Sequence, residues 1–132
     1  MITYSNPMAK ILIVDDDADG CESLAVFLRD SGHIATCAPN GREALLLVLA
    51  DLPDVVVLDL VMPEMDGPSF LEVVRSYLRI QSLPVVVLTA LGESPMIDRA
   101  RALKVNSILV KGKATTDDIL KALDEALVRY PG

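Results

Sequence analysis

Apolar runs at residues 11–14 (ILIV), 55–58 (VVVL), 85–88 (VVVL) and 108–110 (ILV), with a weaker one around 33–37, recur along the chain. Side chains alternate between the two sides of a strand, so a short unbroken Val/Ile/Leu run is a strand covered on both faces. Between the runs the spacing turns helical. Apolar stripes appear at Cys21, Leu24, Ala25 and Leu28; at Ala44, Leu45, Val48 and Leu49; at Phe70, Leu71, Val74 and Leu78; at Ile97, Ala100 and Leu103; and at Ile119, Leu120, Leu123 and Leu127. Asp19 with Glu22, Asn40 with Glu43 and Thr115 with Asp118 read as capping boxes or near variants. Ser94 before Pro95 marks another helix start, and Gly32 fits a helix C-terminal cap.

Five strands alternating with five helices in 132 residues predict a parallel sheet, because parallel neighbours need crossover helices and right-handed crossovers fix the winding. The expected fold is α/β: a flavodoxin-like, doubly wound, five-stranded parallel sheet of order 2-1-3-4-5 with five flanking helices. Residues 1–8 read as a flexible lead and residues 9–130 as the domain.

A formal charge of −7 argues against direct nucleic-acid binding, which relies on clustered Lys and Arg. No apolar stretch approaches the roughly 20 residues needed to span a bilayer. Cys21 and Cys37 have no metal-ligand spacing and no signal peptide ahead of them, which predicts two reduced thiols in a cytoplasmic protein.

In open parallel sheets, ligands bind beyond the carboxyl ends of the strands, where the strand order reverses. Strands 1 and 3 flank that point here. Strand 1 ends in Asp15-Asp16-Asp17 and strand 3 in Asp59, while Thr89 from strand 4 and Lys111 from strand 5 reach the same rim. Singly, each has a plain reading: a solvated turn capping helix 1, a strand terminus, a turn hydroxyl. Together they need a cation, since two carboxylates about 4 Å apart repel by roughly 4 kcal/mol at an effective dielectric near 20. A hard divalent ion such as Mg²⁺ takes such oxygen ligands. Asp59 could then attack a phosphoryl group, with Thr89 and Lys111 meeting the phosphoryl oxygens.

The stretches ILIVDDD, VVVLDLVMPEMDG, VVVLTA and ILVKG together resemble the receiver domain of two-component response regulators, over residues 10–130. The resemblance implies Mg²⁺-dependent phosphorylation by a histidine kinase or phosphotransfer protein, and a switch in partner binding. It places Asp15 and Asp16 on the metal-binding acidic pair, with Asp16 the more direct ligand, and Asp59 on the phosphoacceptor. Val61 would lend its backbone carbonyl to the metal, Thr89 would be the switch hydroxyl and Lys111 the phosphoryl-binding lysine. The family's usual readout surface, helix 4 with strand 5 and helix 5, is then expected to bind a downstream protein or a second copy.

Three positions depart from that pattern. Ile108 stands where the family commonly has Tyr or Phe, Gly112 where a proline usually follows the lysine, and Lys104-Val105 where Gly-Ala is frequent. An intact acceptor with an altered readout is the reading that follows. The alternative is a pseudo-receiver that binds partners without being phosphorylated. A phosphatase or phosphotransferase of the haloacid-dehalogenase type ranks last, because Val61 occupies the place of its second acid. No candidate output region is visible, so the expectation is either a stand-alone receiver or one belonging to a longer chain.

Overall fold

The computed structural model describes residues 8–128. Most of the expected lead and the last two residues of the expected domain lie outside them. The elements run β1 (Lys10–Val14), α1 (Ala18–Asp30), β2 (Ile34–Ala38), α2 (Gly41–Ala50), β3 (Val55–Leu58), α3 (Gly67–Ser76), β4 (Val85–Thr89), α4 (Pro95–Ala102), β5 (Ser107–Val110) and α5 (Thr116–Leu127). All strands are parallel in the order β2-β1-β3-β4-β5. The doubly wound reading is therefore correct.

The period of two divides each apolar run between two cores. Leu12, Val14, Val56, Leu58, Val85 and Val87 face Ala44, Val48, Phe70, Leu71, Val74, Ile97 and Ala100 of α2, α3 and α4. Ile11, Ile13, Val55, Val57 and Val86 face Cys21, Ala25 and Leu28 of α1 and Ile119, Leu123 and Leu127 of α5. Every residue of β3 is buried, as the central strand of a sheet covered on both sides must be.

The helix starts follow local chemistry. Asn40 accepts from the Glu43 amide and Ser94 from the Ile97 amide, while Thr115 and Asp118 form a reciprocal box. Asp66 caps α3 in the same way, ahead of Pro68 in the first turn. At α1 the N-cap is Asp17 and not Asp19, which lies inside the first turn. Gly32 takes φ +97° just past α1, and Lys104 takes φ +61°, a left-handed conformation for which glycine is the default. The expected α3 stripe overruns: the helix stops at Ser76, Tyr77 turns extended, and Leu78 is left 84% exposed.

The cysteines require a correction. Cys21 on α1 and Cys37 on β2 are joined as a disulfide across a Cα separation of 6.2 Å. Leu28 and Cys21 share the inner face of α1, which lies over β1 and β2, so a residue 16 positions away in sequence comes within bonding reach. In a chain-entropy account, a link closing a loop of that length stabilises by about 3 kcal/mol.

Candidate functional site

The carboxyl rim of the sheet is tied together by backbone bonds that run one residue beyond the strands. The Asp15 amide donates to Ala38 O at 3.0 Å, the Asp59 amide to Val14 O at 2.9 Å, and the Lys111 amide to Thr89 O at 2.9 Å. Each side chain of interest thus leaves a backbone already fixed by its neighbouring strand.

Three carboxylates meet there. Asp15, Asp16 and Asp59 each offer an oxygen, and these oxygens lie within 4.8 Å of one another. Asp15 is 9% exposed and Asp59 7%, whereas Asp16 is open to solvent. The Lys111 ammonium donates to Asp15 Oδ2 at 2.6 Å and to Asp59 Oδ2 at 3.0 Å. Asp15 Oδ1 in turn accepts from the Asp17 amide at 2.9 Å, which fixes the rotation of its carboxylate. Asp59 Oδ1 accepts from the Val61 amide at 3.4 Å, a long contact and the weaker of the two that hold this carboxylate.

Burial pulls the Lys111 ammonium down, but its hydrogen bonds to Asp15 and Asp59 outweigh that, and the net pKa is raised above the ordinary lysine value. The lysine is therefore charged throughout the neutral range. Three carboxylates beside one ammonium give the pocket a formal charge of −2, the charge a divalent cation cancels. An all-oxygen carboxylate set suits a hard ion such as Mg²⁺ better than a soft thiophilic one. Asp15 and Asp59, with Lys111, border a concavity of about 220 Å³ lined also by Asp17, Gly20, Cys21 and Leu88.

The other expected residues fall nearby in different ways. Thr89 ends β4, is fully buried, and its Oγ1 lies 3.4 Å from the Leu91 amide. Val61 follows Asp59 in the β3–α3 loop with its side chain half exposed. Ile108 pairs with Val87 in the sheet and packs against the α3 and α4 core. Gly112 adopts φ +84°, which proline cannot reach, so the turn after Lys111 takes a shape that a Lys-Pro pair excludes.

Sequence reasoning missed the part played by Gly67. A Cβ there would sit 2.7 Å from Leu60 Cα and 2.8 Å from Asp59 O, both backbone atoms. The start of α3 thus rests directly on the chain leaving Asp59. Gly67→Ala is expected to destabilise the fold by about 2 kcal/mol, through overpacking that only a backbone shift relieves, as thermal unfolding would measure. A glycine just before a proline is read as a turn, and its close approach to residues 59 and 60 has no local signal.

A larger concavity, of about 540 Å³, lies at the opposite end of the sheet. Its Arg75 guanidinium already donates to the carbonyls of Gln81, Leu83, Leu103 and Lys104, so it staples loops together and offers little to a ligand.

Residues 11–124 match the profile of the response regulator receiver domain. The chain belongs to the response regulator receiver domain family. Receiver domains are signalling modules of two-component systems and not conventional enzymes, and they generally bind Mg²⁺ at an acidic cluster and engage histidine kinases and downstream partners. This receiver domain is 44% identical over 94 residues to an uncharacterized 14.6 kDa protein of Leptolyngbya boryana, covering 71% of this chain and 70% of that one. It is 38% identical over 115 residues to response regulator Rre1 of a Synechocystis species, covering 86% of this chain and 49% of Rre1. The receiver domain thus spans about half the length of Rre1. Among solved structures it is similar to the Vibrio cholerae chemotaxis protein CheY4, with a TM-score of 0.83, 31% identity, and coverage of 91% of this chain and 99% of that one.

Proposed function

We propose that this receiver domain, spanning residues 9–130, accepts a phosphoryl group on Asp59 from a histidine kinase or phosphotransfer protein. Carriage of Mg²⁺ would fall to Asp15, Asp16 and Asp59 together with the Val61 backbone carbonyl. The observation that carries this reading is the Lys111 ammonium shared between Asp15 and Asp59 beside a third carboxylate. When bound, Mg²⁺ supplies Lewis-acid neutralisation of the phosphoryl oxygens.

Everything else falls to the chain itself. A carboxylate oxygen of Asp59 forms the new O–P bond as the P–N bond to the donor's imidazole breaks, and the electron pair stays with the imidazole nitrogen. Lys111, already 3.0 Å from Asp59, follows the charge onto the transferred group. The Thr89 hydroxyl, buried at the end of β4, accepts from the Leu91 amide and keeps its own proton to donate to a phosphoryl oxygen, which ties acceptance to the start of the β4–α4 loop.

The output is a change in binding of a downstream protein, or of a second copy, through the face of α4, β5 and α5. The compartment proposed is the cytoplasm, on the family reading. No helix among the described residues is long and apolar enough to cross a membrane. A pseudo-receiver that binds partners constitutively is favoured by Ile108 and by the left-handed Gly112, which together alter the readout side of the pocket. Intact-mass measurement with acetyl phosphate separates the two. The phosphoacceptor reading expects gain of a single phosphoryl group with Mg²⁺ and none once the metal is chelated, and no gain under either condition would select the pseudo-receiver.

A further inference from the structure

The disulfide lies against the acidic pocket. Cys21 lines the same concavity as Asp15, Asp59 and Lys111. Its amide donates to Asp17 O at 2.9 Å, at the start of α1. Cys37, at the far end of the bond, immediately precedes Ala38, whose carbonyl accepts from the Asp15 amide at 3.0 Å. A closed circuit results: from Cys37 to Ala38, across to Asp15, along Asp16 and Asp17, across to Cys21, and back through the sulfurs. The segment that carries the acidic pair is clamped inside it.

The two residues differ in exposure. Cys21 is 2% exposed, with Sγ 3.7 Å from Ile13 O, whereas Cys37 on the edge strand β2 is only half buried. An incoming thiol therefore meets Cys37 first.

We propose that Cys21 and Cys37 are a reversible dithiol–disulfide modification site through which small-molecule thiols and disulfides set how well the acidic pocket takes up its cation. In reduction, an external thiolate attacks Cys37 Sγ, the S–S bond breaks, and Cys21 leaves as a thiolate that takes a proton from water. A second thiolate attacks the mixed disulfide and releases Cys37. Two small thiols become one small disulfide and the protein gains two thiols; oxidation by a small-molecule disulfide runs the same steps backwards. Oxidation closes the clamp and reduction opens it, so the ratio of small disulfide to small thiol sets which form is present. The closed clamp preorganises Asp15 and Asp16, and the oxidised protein binds Mg²⁺ more tightly.

The couple stands on the pairing of Cys21 with Cys37 and its place beside Asp15–Asp17; its effect on phosphoryl uptake rests in addition on the reading of Asp59 as acceptor. The test poises the protein in glutathione buffers of graded ratio. It counts thiols by alkylation and mass, follows the backbone amides of residues 15–17 by NMR, and titrates Mg²⁺ in each state. The expected result is conversion between zero and two free thiols, shifted amides at residues 15–17, and Mg²⁺ affinity about five- to tenfold higher in the oxidised form. Cys37→Ser, at the half-buried site, and Cys21→Ala, at the buried one, should both lose the redox response and match the reduced wild type. Two free thiols at every glutathione ratio, or unshifted amides and equal Mg²⁺ affinity in both states, overturns the proposal. Failure to take up a phosphoryl group in either state overturns the acceptor reading instead, and the thiol count and amide shifts still judge the couple.

Discussion

Asp59→Asn is expected to abolish phosphoryl uptake while leaving the fold in place. The amide keeps the shape of the carboxylate, so β3, packed on both faces by residues that the change does not touch, has no reason to move. Its carbonyl oxygen can still accept from Lys111, and Lys111 keeps its shorter bond to Asp15. What disappears is the nucleophile: an amide oxygen does not form a stable acyl phosphate under conditions in which a carboxylate does. One negative charge also leaves a crowded pocket. Where two such charges about 5 Å apart repel by roughly 3 kcal/mol at an effective dielectric of 20, the metal-free variant should be at least as stable as the wild type. Intact mass after incubation with acetyl phosphate and Mg²⁺ gives the first readout and thermal unfolding without metal the second. Undiminished phosphorylation of the variant would move the acceptor elsewhere.

Lys111→Ala should act differently on the same pocket. Without the ammonium, Asp15 and Asp59, both nearly buried, face each other with no cation between them. Removing one partner of a fully buried pair costs about 3–5 kcal/mol, and the partial exposure of this lysine reduces the expected loss to about 1–2 kcal/mol. Added Mg²⁺ should restore much of that loss and bind more tightly than to the wild type, because it no longer competes with a resident charge. Phosphoryl uptake should nevertheless fall by about 10²–10³-fold, the usual cost of deleting one preorganised donor to developing charge. Tight metal binding with slow uptake is the signature; parallel loss of both would mean that Lys111 serves only to hold the pocket together. The raised lysine pKa fixes the sign with pH. The charged bridge contributes its stability below the unfolded lysine value near 10.5 and loses it as pH rises through the higher folded value, so the stability difference between wild type and variant should persist across the neutral range.

Much of this was legible in the residues because the relevant physics is local. VVVL followed by Asp is a buried strand with an acid at its mouth, and the winding of five such units dictates which mouths adjoin. The caps at Asn40, Ser94 and Thr115 are contacts over three residues and could be read directly. What escaped depends on distance across the fold. The Cys21–Cys37 bond needs the lateral position of α1 over β2, and 16 residues of intervening chain do not reveal it. Asp17 displaced Asp19 as the cap because the chain turns into α1 directly after β1. Leu78 fitted the helical period, but α3 had already ended. The shared bonding of Lys111 to two acids is likewise a property of side-chain reach, and the sequence placed it on the rim without choosing its partners.

The amides of Asp15, Asp59 and Lys111 all donate to a carbonyl of the adjoining strand or its end. The backbone at Asp15, Asp59 and Lys111 is therefore pinned to the sheet at these amides, while the side chains they carry face outward from it. Displacement falls to the segments between these pins: the acidic turn after β1, the β3–α3 turn with Glu64 in a left-handed kink, the β4–α4 loop and the bend at Gly112. The anvil stays still, and the ring is heard in the loops.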